Sequence, residues 1–353
     1  MTLQLYILRQ LALSTLFAAG ALSFVVFPAI AVTAVHKLGG VSLTAVATYI
    51  PLVAIGLLPY LLSLGFLLAT VSTFGRLAAD NEWLALSMAG MHPLRTLIPG
   101  VVMAVLLGAG THALLSEVSP NWRMQQNAFR REALLEAFRS LAPGRTEIDL
   151  PGFYIGALGR DGAAFVDAQV RIPDETGSDL VIVAERVEPI FDDKRLVLAF
   201  DGMRTVKGND LLYVDGLGYA VPLDEIVKRG RRDPMKPGHR PSSAMRAELE
   251  AGTVPERWRD LYVFEIHERY ALSAIYALFL LIGVPTGLWL RSGTQLVGLG
   301  VAAIYAFAYY ILSMRLGREL ADSGVLPPAL APWTTNVLGL VVGSVALWRA
   351  VRR

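Results

Sequence analysis

FGRLAADNEWLALSMAGMHPLRTLIPG, residues 74–100, is the stretch on which the reading of the chain turns. Asp80 or Asn81 can cap a helix here, and Glu82 falls in the first turn, where a carboxylate suits the positive end of the helix dipole. Gly90 can supply the left-handed residue that stops the helix, and Pro93 forbids continuing past it. About ten residues at roughly 1.5 Å each give ~15 Å, half of a ~30 Å hydrocarbon core. Such a helix cannot span a membrane. It can lie on one, with Trp83, Leu84, Leu86, Met88 and Met91 apolar and Glu82 at its leading end. Long apolar runs flank it, so it has the form of a docking element between two membrane-crossing helices.

Composition agrees. The 353 residues are 54% hydrophobic and only 18% charged, against about 25% charge in a soluble protein. The ends are nearly charge-free and the middle is not, which predicts a membrane protein with an aqueous domain inserted in it. A net charge of +2 does not call for nucleic acid. With no cysteine there is neither a disulfide framework nor a thiolate metal site. The first apolar run is too long for a signal-peptide core and reads as a retained helix.

Residues 11–35 carry no charge and suffice for a tilted span, with Pro28 a candidate kink. Residues 43–74 exceed one span, so the part before Pro51 or Pro59 is expected to be interfacial or broken. Residues 96–116, rich in small residues at Gly100, Gly108 and Gly110, form the third span. Residues 121–141 are polar and helix-prone. From 144 onward short alternating runs separated by turns predict strands near 152–158, 163–172, 180–189, 196–200 and 211–214, an all-β sandwich or open roll. Residues 227–255, charged and Pro-rich, read as a loop or connector. Spans four and five follow at 270–290 and 294–314, a polar loop at 315–332, and a short last span at 333–348. Six spans put both termini on one side. Short segments on that side hold seven Arg, against Lys37, Arg315 and Arg318 opposite, so the positive-inside rule makes the termini and the docking helix cytoplasmic.

No GxxxxGK[ST], HExxH or GxSxG motif is present. Glu265, His267 and Glu268 could serve acid–base or metal chemistry; the plainer reading makes them the charged outer start of span four. His112 and Glu117 are five apart, off a common helix face, and are assigned no site. The outward-facing cations Lys37, Arg123, Arg130 and Arg131 suit lipid phosphate, or else snorkel at the interface.

Two stretches together resemble a known family. LLPYLLSLGFLLATVSTFGRLAADNEWLALSMAGM (57–91) is similar to the second span and cytoplasmic helix of the LptF/LptG permeases. EIHERYALSAIYALFLLIGVPTGLWLRSG (265–293) and ADSGVLPPALAPWTTNVL (321–338) resemble their fourth to sixth spans. The likeness covers about 200 residues at the two ends; the middle matches in position, size and β character. The Arg-Ala-Glu-Leu-Glu run at 246–250 leans towards LptF.

The resemblance implies a non-catalytic, cofactor-free permease subunit of the lipopolysaccharide export ABC transporter in the bacterial inner membrane. Expected partners are a homologous permease paralogue (LptG or LptF), an LptB-like ATPase dimer, LptC- and LptA-like bridge components and lipopolysaccharide or a related glycolipid. It implies three parts: 1–118, spans one to three with a coupling helix at 80–90; 119–265, a periplasmic jelly-roll-like β-domain with connectors; and 266–353, spans four to six. Carried over by position, Asp80, Glu82, Ala85, Met88, Ala89 and Gly90 form the ATPase-coupling surface. Lys37, Arg123, Arg130 and Arg131 are the lipid-phosphate candidates. The residues themselves leave open a membrane signalling or mechanotransmission partner of an ATPase that moves no lipid.

Overall fold

The computed structural model describes residues 2–37, 43–123, 125, 146–150, 153–173, 179–192, 195–207, 210–214, 218–219, 237–290 and 295–352. Helices α1 (Thr2–Lys37), α2 (Leu43–Ala79), α3 (Glu82–Met88) and α4 (Ile98–Ala113) come first. Strands β1 (Glu147–Leu150), β2 (Phe153–Asp161), β3 (Ala164–Pro173), β4 (Asp179–Asp192), β5 (Arg195–Lys207), β6 (Asp210–Val214) and β7 (Gly218–Tyr219) follow. Helices α5 (Ser242–Glu250), α6 (Glu256–Ser273), α7 (Ile275–Trp289), α8 (Gln295–Asp322) and α9 (Thr334–Arg352) complete the chain. Two compact units result: residues 1–28, 54–123 and 237–353 form one, and 29–53 with 124–236 the other.

Among the described residues six helical segments are long and apolar enough to cross a membrane: Leu3–Thr33, Ala47–Ala79, Pro93–Arg123, Glu256–Trp289, Gly300–Asp322 and Ala331–Arg352. Their flanks leave Phe17, Phe24 and Phe307 70–82% exposed. In water such surface would drive aggregation; against acyl chains it costs nothing.

Three expectations need correcting. Residues 43–74 hold no break, because α2 runs unbroken through Pro51 and Pro59. Each proline removes one backbone hydrogen bond, which the turns on either side of it outweigh, so the helix continues. Residues 315–332 are not all loop: α8 carries Arg315 and Arg318 on to Asp322, good helix formers that need no membrane. The connector at 227–255 contains α5, and the helix of span four begins at Glu256, ahead of the boundary drawn at 266.

Helix α7 is the axis of the membrane unit. Tyr276, Phe279, Leu280 and Val284 pack with Phe66, Leu67 and Phe74 of α2 and Ala302, Ala306 and Tyr309 of α8. Small residues permit the approach: a Cβ on Gly287 would stand 2.6 Å from the Val71 carbonyl oxygen of α2.

The other unit holds an antiparallel sheet in the order β1-β2-β3-β4-β5-β6, with β7 also paired to β5. Period-two alternation buries Ile182 and Ala184 on β4, but Val187 beyond them. On β3 the parity likewise changes between Phe165 and Ala168. At that level Asp167 has φ 50° and Gly202 φ +63°, on strands flanking Glu185 of β4. The two halves of these strands therefore bury opposite faces, as a sheet that rolls over itself requires.

Gly287→Val should separate α2 from α7 and destabilise the membrane unit by about 1–3 kcal/mol, as overpacked cores do. Gly110→Ala, whose added Cβ would meet nothing within 4 Å, should be tolerated. Thermal unfolding of both variants in detergent checks the contrast.

Candidate functional site

The docking helix is cut out of the chain by backbone geometry. Helix α2 ends as Asp80 N–H donates to the Arg76 carbonyl, and Asn81 turns the chain at φ 60°. Asn81 occupies the cap position with no side-chain cap hydrogen bond, so its contribution is the left-handed turn, which Asn tolerates better than most residues. Glu82 opens α3. Trp83 packs edge-on against Phe74, ring centroids 6.2 Å apart, and joins the helix to the membrane core. At the far end Met91 N–H donates to Leu86 O and Gly90 N–H to Ser87 O, with Gly90 at φ +77°. That is the Schellman stop, which needs a left-handed residue at Gly90.

Nothing in α3 is buried. Leu84 and Met88 are 54% and 75% exposed, and Asp80, Ala85, Ser87, Ala89 and Gly90 are exposed beside them. The six coupling candidates thus lie on one short segment whose only inward anchor in α3 is Trp83. Its root is braced: Arg76 of α2 donates to Tyr6 Oη (3.0 Å) and to Gln10 of α1, and Gln4 donates to Arg95 O (2.8 Å). Beside this root an apolar groove of about 880 Å³ opens between α1, α2 and α7, lined by Leu13, Phe17, Val25, Leu68 and Val71, with Arg76 in its wall.

The opposite ends of the spans carry a polar cluster centred on Arg269. This side chain is 4% exposed. Its Nη1 donates to Ser116 O, Arg240 O and Ser242 Oγ (2.9–3.3 Å), and its Nη2 to Pro237 O and Glu265 Oε1 (3.1 Å each). Ser116 lies in a π-helical turn, Leu114–Val118. Glu117 from the same turn accepts from Ser243 N–H (3.1 Å) and Ser243 Oγ (2.8 Å), tying down the start of α5. Arg123 donates to Gly238 O (2.9 Å). His112 stacks on Tyr270 at 4.3 Å, and Arg246 donates to the Tyr270 hydroxyl. Residues 237–250, expected as loop, are therefore gripped by spans three and four.

The sequence treated Glu265 to Arg269 as the charged rim of span four. Arg269 is instead the buried hub of that end. The available signal was its place one residue before a 21-residue charge-free run, since a cation at the edge of a span needs a named partner. Glu265 is engaged with Arg269, and among the described residues no group of three His, Asp or Glu side chains converges as metal ligands. Lys37 ends α1, with its side chain outside the described residues, as are Arg130 and Arg131. Asn336, in the approach to the last span, accepts from Tyr309 Oη (2.7 Å) and donates to Ala271 O (2.8 Å), cross-linking spans four, five and six.

The family model described as "Lipopolysaccharide export system permease LptF/LptG" matches residues 5–349. No curated protein matches the chain.

Arg269→Ala would orphan the carbonyls of Pro237, Arg240 and Ser116 and strand Glu265, a loss of about 3–5 kcal/mol for a broken buried pair. Arg269→Lys should rescue it only partly, because one ammonium cannot replace a planar fork. Limited proteolysis reads the effect as new cleavage within 237–250.

Proposed function

The chain belongs to the lipopolysaccharide export system permease LptF/LptG family, a multi-pass protein of the bacterial inner membrane. From that premise we propose that it is one transmembrane half of an ABC transporter that extracts lipopolysaccharide and passes it to a periplasmic bridge. A homologous permease completes the cavity, an LptB-like ATPase dimer supplies the energy, and LptC- and LptA-like components take the lipid onward.

The observation that carries the reading is α3: a helix too short to span, rooted by Trp83 on Phe74, with Leu84 and Met88 left exposed. An apolar face on a rooted stub suits the groove of a soluble partner better than lipid, since its leading end carries Asp80 and Glu82. In this reading the termini and α3 are cytoplasmic and the β-domain periplasmic. Movement of the ATPase is delivered through Glu82, Ala85, Met88, Ala89 and Gly90 to α2 and α4, and so to the cavity walls. Arg76, bonded to Tyr6 and Gln10, would carry the displacement into α1. Lys37, Arg123, Arg130 and Arg131 meet lipid phosphate, for which guanidinium and ammonium groups are the suitable donors.

Met88→Asp should weaken ATPase co-purification about tenfold or more, the scale of an interface anchor worth at least ~1.4 kcal/mol. Glu82→Ala should lower glycolipid export while the permease pair still assembles. Full export by an assembled Glu82→Ala variant would overturn the coupling role. ATPase capture with no movement of lipid in reconstituted vesicles would favour a mechanotransmission protein instead.

A further inference from the structure

A second polar feature lies beside the Arg269 hub and is not used by it. Tyr60, Ser119, Arg123, Glu268, Tyr310 and Met314 line a pocket of about 190 Å³. A dry cavity of roughly 150 Å³ accepts benzene, so this one has room for a small polar group. Glu265 and Arg269 form part of its wall, but they neutralise each other at 3.1 Å. What remains is the Arg123 guanidinium and the Glu268 carboxyl, which do not meet, with Arg318 acting on Glu268 from farther off. Arg123 spends one donor on Gly238 O, and Glu268 has no hydrogen bond or ion pair among the described residues. Ser119, 3% exposed, has an Oγ without a hydrogen-bond partner among the described residues. The Tyr60 and Tyr310 rings meet edge to face at 5.6 Å.

The depth of the pocket follows from helix rise. From Glu268 to Leu290 at the other end of span four is 22 residues, about 33 Å. From Gln295 to Met314 on α8 is 19 residues, about 28 Å, and from Tyr60 to Arg76 on α2 is 16, about 24 Å. Against a ~30 Å core, three helices place the lining at the outer headgroup boundary. Met314, 61% exposed, brings the rim to the lipid-facing surface. A guanidinium with free donors and a half-enclosed carboxyl with no hydrogen bond leave polar groups that a bound ligand can complement.

We propose that this pocket binds a phosphate ester bearing a primary amine, the phosphate on Arg123 and the ammonium on Glu268 and the Tyr60–Tyr310 pair. The guanidinium suits phosphate oxygens, and a carboxylate beside aromatic rings suits an ammonium. Ser119 Oγ supplies a further hydrogen bond to the phosphate. The site is zwitterionic, so phosphatidylethanolamine fits it, phosphatidylglycerol fills only half, and the methylated ammonium of phosphatidylcholine cannot donate to Glu268. This deepens the lipid-phosphate role given to Arg123 and rests on it. The same chemistry could be carried by a bilayer phospholipid or by the exported glycolipid.

The test uses the full-length chain with its native partners, in nanodiscs of phosphatidylcholine doped with either phosphatidylethanolamine or phosphatidylglycerol. Native mass spectrometry reads the lipid retained. The wild type should keep phosphatidylethanolamine about tenfold over phosphatidylglycerol; equal retention overturns the proposal. Glu268→Gln should erase that preference, and Arg123→Gln should lose both lipids. If Glu268→Gln keeps the preference while Arg123→Gln loses both lipids, the ammonium half fails and the phosphate role stands. If neither variant changes retention, both fail. Should a variant not fold, competition on the wild type decides: soluble glycerophosphoethanolamine should displace the lipid and glycerophosphate should not. Discs lacking phosphatidylethanolamine, loaded with lipopolysaccharide with or without phosphoethanolamine, separate the sources. Retention only of the decorated glycolipid assigns the site to cargo, and retention of phosphatidylethanolamine assigns it to the bilayer.

Discussion

A guanidinium buried inside the protein at one end of a membrane span must have its donors met by the protein, because neither water nor a headgroup reaches it. Arg269 meets that demand with one carboxylate, one hydroxyl and three carbonyls. Much of the local structure follows. One of those carbonyls belongs to Ser116 in the π-helical turn, and two belong to the segment that follows the β-sheet in the chain. An ordinary Pro- and Arg-rich connector thereby becomes the turn Pro237–His239 and helix α5, both fixed against the spans.

The opposite ends of the spans answer to a different constraint. There the helices leave the hydrocarbon, water can satisfy the backbone, and short elements become possible. Asn81 and Gly90, both left-handed, bracket α3, and only Trp83 of that helix reaches back into the core. The result is a rooted stub with a solvent face. Between the two ends, α7 acts as the axis, where glycine faces allow neighbouring helices to approach and the hydrogen bonds of Asn336 and Tyr309 hold spans four to six together.

Reading the sequence went furthest where one-dimensional patterns carry the physics. Charge-free runs of about twenty residues gave the six spans, and period-two runs placed the strands: the expected 163–172 and 180–189 became β3 and β4. The stop at Gly90 was legible because a left-handed residue followed by Pro93 admits few other conformations. Reading failed where ends are concerned. Polarity marked 315–332 as loop, yet a helix entering water needs only good helix formers, and α8 runs on to Asp322. Pro51 and Pro59 suggested a break, yet α2 runs through both.

The membrane class, the count of spans, the inserted β-domain and the short helix between spans two and three were all legible along the chain. These rest on hydropathy and period, which each segment carries alone. Which charged residues are buried, and what they hold, emerges from the fold. Glu265, Glu268 and Arg269 sit within five positions of one another in one charged run, yet Arg269 is a hub, Glu265 its counter-ion and Glu268 part of a pocket wall. The residues that separate them, Pro237, Ser116, Arg123 and Tyr310, are distant in the chain, and no local pattern encodes which of them folding will bring alongside.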